Sequence, residues 1–287
     1  NLLEQNHITD KYDIFLSYDK NEYINLKDKQ LEKFKKDSLK EINLSKNIKI
    51  LHNSHVKIKY DNELRKLTLI YDNSFGKVLI SNSILRNMKI IMLNKNKYKK
   101  VEYKKTYNLT GCLTIMDTKL DDVSFIGENF NCEDTINFIR AEGSIKEIEI
   151  NNSNSDAIDA DFSKIKIKNL IVNLSKNDCL DVSYGIYEIS NINAENCGDK
   201  GVSVGEMSIL NSNKVLIKNT PIGLASKDGS KAMLIKFDGI NLNKCLSAYK
   251  KKQEFSGGYI SVMDFKCENY KIEKNYDKHS TIKFLDN

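Results

Sequence analysis

Apolar residues recur at a fixed interval along the middle of this chain. Isoleucine, leucine or valine occupies every twenty-second position of one series: Ile136, Ile158, Leu180, Val202, Leu224 and Leu246. Around each of these positions apolar and polar residues alternate, as they do in a β-strand with one buried face. A constant period of this length with strand-like alternation is typical of a solenoid, in which successive coils stack on one another.

Each repeat also contains a second strand-like stretch and a polar turn rich in asparagine. Asn151 and Asn173 share the period, as do Asn219 and Asn241. Asparagine tolerates left-handed backbone angles, and stacked asparagines can hydrogen-bond from coil to coil. The pattern predicts an all-β chain, with a right-handed, single-stranded parallel β-helix of about ten coils over residues 46–287.

Residues 1–45 are predicted to form an N-terminal extension that includes a capping helix. Residues 26–42 (LKDKQLEKFKKDSLKEI) place spaced apolar residues on a charged background. An open solenoid end exposes apolar surface and unpaired backbone groups, which a short amphipathic helix would cover. Further along, residues 95–105 (KNKYKKVEYKK) interrupt the rhythm and predict a protruding loop.

The bulk composition narrows the class of partner. The net charge of +6 favours an anionic partner, but the lysines are scattered along the chain, so no nucleic-acid partner is predicted. No apolar run reaches the length of a membrane span. The chain begins at Asn1 rather than methionine, which indicates a processed product or a piece of a larger multidomain chain.

The six cysteines lack the paired spacing of a zinc site. Cys245 and Cys267 are one period apart and should therefore stack on neighbouring coils. They would either bridge in an oxidising compartment or lie buried as separate thiols, and we favour separate thiols.

Polar residues at the stacked positions supply the candidate chemistry. If the apolar series points inward, two outward-facing rows result: Asn137, Asp159, Asp181, Ser203, Ala225 and Ser247, and Ile139, Asp161, Ser183, Gly205, Lys227 and Tyr249. A third row lies just before the strand: Asp134, Asp156, Asp178, Lys200, Ile222 and Lys244. Neighbouring coils are about 4.8 Å apart, so the aspartates repel one another and at least one carboxyl pKa should rise. Such a cluster requires counter-charges, a metal or a shared proton.

We therefore predict a site on the outer face, in a shallow groove. Its catalytic residues would be Asp156, Asp159, Asp178, Asp181, Lys200 and Lys227. Its substrate-binding residues would be Arg140, Asp161, Ser203, Glu206, Tyr249 and Lys250. In an alternative reading, Asp156 and Asp178 only cap turns, because each precedes a small residue.

Four short motifs on successive repeats resemble those of pectin-degrading β-helix enzymes of the polygalacturonase type. They are NSD at 154–156, NDC at 177–179, DKGVSVG at 199–205 and GLASK at 223–227. Asn177 stands where the family has an aspartate, Lys200 where it has histidine, and Ala225 where it has arginine. The resemblance covers residues 150–230 and implies acid–base hydrolysis of galacturonan, with Asp156 and Asp178 among the carboxyls.

The predicted function is accordingly a hydrolase or lyase acting on an acidic polysaccharide. A hydrolase would use aspartates as acid and base, with lysines holding uronate groups. A lyase would bind Ca²⁺ through aspartates and abstract a proton with Lys200 or Lys227, and an epimerase would use similar parts. The alternatives are a non-catalytic glycan-binding or surface-assembly module and a structural spacer. An extracellular or cell-surface location fits each of these functions.

Overall fold

A computed structural model describes residues 40–73, 75–95 and 109–285. These residues form an all-β parallel solenoid of about nine coils, as the period predicted, and 74% of the described residues are in strands. Helices are absent from this part of the chain, so it contains none that is long and apolar enough to cross a membrane.

Twenty strands build the solenoid. In chain order they are β1 (Lys40–Ser45), β2 (Ile48–His52), β3 (Val56–Asp61), β4 (Lys66–Tyr71), β5 (Val78–Ser81), β6 (Ile84–Arg86), β7 (Lys89–Asn94), β8 (Gly111–Met116), β9 (Lys119–Phe130), β10 (Asp134–Ile139), β11 (Glu142–Ser153), β12 (Asp156–Asp161), β13 (Lys164–Ser175), β14 (Leu180–Ser183), β15 (Ile186–Cys197), β16 (Lys200–Gly205), β17 (Ile209–Lys227), β18 (Lys231–Tyr249), β19 (Tyr259–Tyr276) and β20 (Thr281–Phe284).

Each central coil consists of a short strand followed by a long one. The short strands β8, β10, β12, β14 and β16 pair in parallel, and the long strands β9, β11, β13 and β15 form a second parallel ladder. Strands β17, β18 and β19 run through both ladders. Ile136, Ile158, Leu180 and Val202 are in register and almost completely buried, so the predicted inward series is confirmed.

The N-terminal end of the described structure is antiparallel. β1 pairs with β2, β2 with β5, and β3 with β4, each in antiparallel orientation. The predicted helix over 26–42 lies mostly outside the described residues, and its last residues, Lys40–Ile42, belong to strand β1. Strand β1, which lies within the predicted extension over residues 1–45, pairs with β2.

Two coils depart from the common period. Val78 pairs with Leu113 because a longer segment separates β5 from β8, and most of the predicted 95–105 loop lies outside the described residues. Between β18 and β19, Lys231 pairs with Tyr259 rather than with a residue 22 positions later. The added residues form an irregular segment, which we call the 250–258 loop.

Three disulfides lie inside the solenoid: Cys112–Cys132, Cys179–Cys197 and Cys245–Cys267. The expectation that Cys245 and Cys267 are separate thiols is wrong. They also do not stack in register, because the 250–258 loop shifts the pairing so that Cys267 lies opposite Gly239. The disulfide therefore joins two residues of neighbouring coils that are not opposite each other in the ladder.

Asparagines form a ladder at one corner of the coils, as predicted. Nδ2 of Asn241 donates to Oδ1 of Asn219 at 2.9 Å, and Nδ2 of Asn173 donates to Oδ1 of Asn151 at 3.5 Å. The corner residue of each coil has a left-handed backbone, and in most coils this residue is an asparagine. Leu174 is the exception, with φ of 66° and a side chain that is 41% exposed.

We expect Leu174→Asn to stabilise the protein by about 1 kcal/mol. Leucine is disfavoured in the left-handed region, whereas asparagine enters it at lower cost. The measurement is the urea midpoint at a constant m-value. Asn241→Leu is the matched reverse substitution and should destabilise by a similar amount. An unchanged or lower midpoint for Leu174→Asn would contradict this account of the corner.

Candidate functional site

The two outward rows are in register as predicted. Asn137 pairs with Asp159, Asp159 with Asp181, and Asp181 with Ser203. Within the first row Asn137 is only 2% exposed and Ser203 is fully buried, whereas Asp159 and Asp181 between them are half-buried. At the N-terminal end of this face, Leu109 belongs to a separate apolar cluster with Leu51, Leu79, Met116 and Ile139.

Asp156 and Asp178 bind the backbone of the following coil. Oδ1 of Asp156 accepts hydrogen bonds from the Asp178 N–H at 2.8 Å and from Nδ2 of Asn177 at 2.7 Å. Oδ1 of Asp178 accepts from the Lys200 N–H at 3.0 Å. These contacts favour the alternative reading, in which the two aspartates hold turns together.

Lys200 closes this ladder with two ion pairs. Its Nζ lies 3.4 Å from Asp178 Oδ1 and also contacts Asp199. Burial lowers the pKa of Lys200, but Asp178 and Asp199 outweigh burial, so the pKa is raised overall. Lys200 therefore stays protonated at neutral pH and neutralises the ladder.

Asp159 and Asp181 occupy the middle of the first row. Nδ2 of Asn137 donates to Asp159 Oδ2 at 2.7 Å, and Lys227 Nζ lies 3.7 Å from Asp181 Oδ2. Burial raises the Asp159 pKa well above its ordinary value, and Asp161 and Asp134 add repulsion. Burial also raises the pKa of Asp181, but the Lys227 ammonium opposes that rise.

Asp161 lies opposite Ser183 in the second row. Burial raises the Asp161 pKa to about 8, and repulsion from Asp181 adds to the effect. Ser183 Oγ donates to Glu206 Oε2 at 2.6 Å, and Lys252 Nζ lies 2.7 Å from Glu206 Oε1. Burial raises the pKa of Glu206, but hydrogen bonds from Lys252 and Ser183 lower it by more than burial raises it. The net pKa is below the ordinary value, so Glu206 is ionised at neutral pH.

Lys227 and Tyr249 end the second row, in register with each other. Burial lowers the Lys227 pKa, but Asp181 and Glu206 raise it overall. Burial raises the pKa of the Tyr249 phenol, and the positive charges of Lys200 and Lys227 oppose that rise. The structure thus brings Tyr249 close to both predicted lysines.

Arg140 and Lys250 have other principal contacts. The Arg140 guanidinium forms a bidentate pair with Asp117, with Nε–Oδ1 at 2.7 Å and Nη2–Oδ2 at 2.9 Å. The Lys250 N–H donates to Asp277 at the start of the 250–258 loop. Arg140, which was predicted to bind substrate, is thus held by a bidentate partner in the preceding coil.

The 250–258 loop is attached to the same face of the solenoid. The N–H groups of Lys251 and Lys252 donate to Asp228 Oδ1 at 2.6 and 2.8 Å, and the Phe255 ring packs edge-on against Tyr184. Glu206, which was predicted to bind substrate, forms an ion pair with Lys252 of this loop. The break in period between β18 and β19 was the sequence signal for the loop.

Lys77 is a buried cation that the sequence did not single out. It is 4% exposed, and its Nζ donates to the carbonyl oxygens of Thr110 and Gly111 at 3.1 and 3.0 Å. Burial lowers its pKa to about 8, and Asp134 opposes the decrease. Lys77 lies outside the regular repeat, so its position beside the aspartates could not be obtained by counting residues.

The aspartate rows do not form a metal centre in the described part of the chain. Within residues 40–73, 75–95 and 109–285, no group of three or more His, Cys, Asp or Glu side chains is placed to hold a metal ion. The acids are held by lysines, amides and backbone N–H groups instead.

No protein-family model, curated protein or solved structure matches the chain. The resemblance to pectin-degrading enzymes is therefore supported only as a parallel β-solenoid architecture.

Proposed function

We propose that this solenoid hydrolyses a glycosidic bond in a polysaccharide, with Asp161 as the proton donor and Asp181 as the base. One observation carries the proposal: a carboxyl that keeps its proton at neutral pH lies beside a carboxylate held by a lysine. Environments that push two carboxyl pKa values apart are typical of acid–base pairs. Asp161 would protonate the leaving oxygen, and Asp181 would take a proton from the attacking water.

The spacing of the two aspartates favours inversion of the anomeric centre. Asp181 is in the next coil and two residues before Ser183, the partner of Asp161. One coil step and two residues along a strand place the two backbones roughly 8 Å apart. Inverting glycosidases separate their carboxyls by about 6.5–9.5 Å, and retaining ones by about 5–5.5 Å. A backbone separation of roughly 8 Å, with both side chains on the same face of the sheet, agrees better with inversion.

Hydrolysis is better supported than the lyase or epimerase reaction. Those reactions need a lysine that can lose its proton and act as a base. Lys200 and Lys227 both have pKa values raised by neighbouring carboxylates, so they remain protonated. The three disulfides further support an oxidising location, outside the cell or at its surface.

Asp161→Asn and Asp181→Asn should each reduce kcat by at least about 100-fold, because each removes one proton-transfer step. Reducing-end release on a glycan panel gives the rate, and NMR of the first product should show the inverted anomer. Activity should decline above about pH 8, where Asp161 loses the proton that it must donate.

The matched control is Asp264→Asn, an exposed aspartate paired with Lys236. It should retain full activity. Parental activity in either site variant, or a retained anomer, would refute the assigned roles.

A non-catalytic glycan-binding module is the second candidate. Asp156 and Asp178 are the catalytic carboxyls that the resemblance implies, and both already accept hydrogen bonds from backbone N–H groups. This observation favours binding without catalysis. Binding of a glycan without new reducing ends, in the parent chain over the whole panel and pH range, would establish this function instead.

A further inference from the structure

Four large apolar side chains are exposed on the outer face of the last described coils. Met233, Ile235, Met263 and Leu285 are 37%, 52%, 45% and 43% exposed. The register of β18, β19 and β20 brings Ile235 beside Met263, and Met263 beside Leu285. Met233 lies two residues before Ile235 and therefore points to the same side of β18. The four side chains form one contiguous surface, which we call the C-terminal patch.

The same positions are polar in the preceding coils. The column that reaches Met233 contains Ser144, Lys166, Glu188 and Asn211. The column that reaches Ile235 contains Lys146, Lys168, Ser190 and Asn213. The coil can therefore be built with polar residues at these positions, and its packing does not require the change to apolar ones. A single exposed apolar residue needs no explanation, but a contiguous group marks an interaction surface.

Positive charge borders the C-terminal patch. Lys214, Lys231 and Lys283 are exposed, and none of them forms an ion pair within the described residues. Lys231 lies two residues before Met233, and Lys283 lies two residues before Leu285, so both point to the patch side of their strands. The neighbouring acid, Asp264, is paired with Lys236 at 2.8 Å. The partner of this surface is therefore expected to carry negative charge.

The composition of the patch favours a lipid surface over a protein. Protein interfaces are enriched in aromatic residues and arginine and depleted in lysine, but the four patch residues are aliphatic or methionine and the bordering cations are lysines. Methionine fits either kind of surface, so the lysines decide between them. A second copy on a twofold axis would bring the same lysines against one another.

Aliphatic side chains beside lysines are typical of proteins that lie on a membrane surface. The apolar groups enter the boundary between headgroups and acyl chains, and the lysines meet anionic headgroups. We infer that the C-terminal patch docks this protein peripherally on an anionic lipid surface. The patch belongs to the long-strand ladder, whereas Asp161 and Asp181 belong to the short-strand ladder. The inference is therefore independent of the proposed hydrolysis.

Co-sedimentation of the full chain with vesicles tests the docking. One set of vesicles contains phosphatidylcholine alone, and the other contains equal parts of phosphatidylcholine and phosphatidylglycerol. The chain should bind the mixed vesicles at least about 10-fold more tightly, because each lysine near an anionic surface adds to the attraction. High salt should weaken this binding.

Variants separate the patch from the overall charge of the chain. Met233→Asn/Ile235→Asn copies Asn211 and Asn213 of the preceding coil and should weaken binding at least about 10-fold. Lys231→Gln/Lys283→Gln should have an effect of similar size. The matched control, Lys146→Gln/Lys168→Gln, removes the same charge from exposed positions of the central coils and should bind like the parent. Thermal unfolding verifies that each variant is folded.

An introduced tryptophan reports contact directly. The chain contains no tryptophan, so Met263→Trp places a single indole in the patch. Its emission should shift to shorter wavelength with the mixed vesicles, because the indole leaves water. Leu64→Trp, at a 68% exposed position in the turn between β3 and β4, should keep its emission unchanged.

Several results would overturn the inference: no binding to the mixed vesicles, an equal loss of binding in the Lys146/Lys168 control, or unchanged emission of Met263→Trp. A concentration-dependent dimer that Met233→Asn/Ile235→Asn dissociates, without vesicle binding, would assign the patch to a second copy instead. Asp161→Asn should bind the vesicles like the parent. Failure of the catalytic proposal therefore leaves the docking intact, and failure of the docking leaves hydrolysis intact.

Discussion

The protein should become less stable as the pH rises from about 4 to about 8, with a fall in Tm of about 5 °C or more. The cause is the set of buried aspartates. Burial raises the pKa of Asp161 to about 8, of Asp134 and Asp178 to about 7, and of Asp156 to about 6. Asp159 and Asp181 shift in the same direction.

The direction follows from proton linkage. In the unfolded chain these carboxyls titrate near pH 4, so between that pH and their folded pKa values the native state binds more protons. Their stabilisation is complete below about pH 4 and is lost as the pH rises through 6–8. Lys77 acts oppositely at higher pH, because burial lowers its folded pKa to about 8 and the unfolded chain then binds more protons.

Thermal unfolding from pH 4.5 to 8.5 at constant ionic strength measures the effect. Asp159→Asn should flatten the slope, since asparagine mimics the protonated acid and can still accept from Asn137. Asp264→Asn, at an exposed position, should leave the slope unchanged. A Tm that stays level or rises between pH 5 and 8 would show that these aspartates are not protonated in the folded protein.

Removal of any one disulfide should destabilise the protein by about 3 kcal/mol, which corresponds to a Tm loss of about 6–12 °C. Each bond closes a loop of about 20 residues and so restricts the unfolded chain. The paired variants Cys179→Ala/Cys197→Ala and Cys245→Ala/Cys267→Ala test two bonds separately. The fully reduced parent should lose more than either variant.

The reduction rate provides the control. All six sulfurs belong to buried or half-buried residues of the core, so the native bonds should react with reductant only on global or local unfolding. Intact mass after oxidative folding should show three bonds and no alkylated thiol. Six alkylated thiols, or double variants as stable as the parent, would contradict a structural role for the bridges.

The local sequence pattern was sufficient to predict the repeating coil and the residues on its inward face. Alternation with period 2 decides which side of a strand is buried, and the repeat of 22 decides which residues stack, so the Ile158 series could be counted directly. The Asn219–Asn241 contact followed from the same count. The cluster of Asp159, Asp161 and Asp181 was also predictable, because register alone brings them together.

The 22-residue repeat did not predict which residues come together where the coils differ in length. Lys77 approaches the aspartates across a longer connection, and the 250–258 loop shifts Cys267 out of register with Cys245. The bidentate pair of Arg140 with Asp117 could not be predicted either, because register fixes a backbone position without fixing a side-chain direction.

The sequence by itself determined a parallel solenoid, the inward apolar rows and the acidic rows on one outer face, because strand alternation and a constant period are local properties. Only the tertiary structure decided that this face is partly buried, that its lysines already have carboxylate partners, and that Asp156 and Asp178 bind the next coil. These features depend on burial and on side-chain reach between distant segments. Burial also keeps Asp161 protonated, and the proposed role of Asp161 as a proton donor depends on that state.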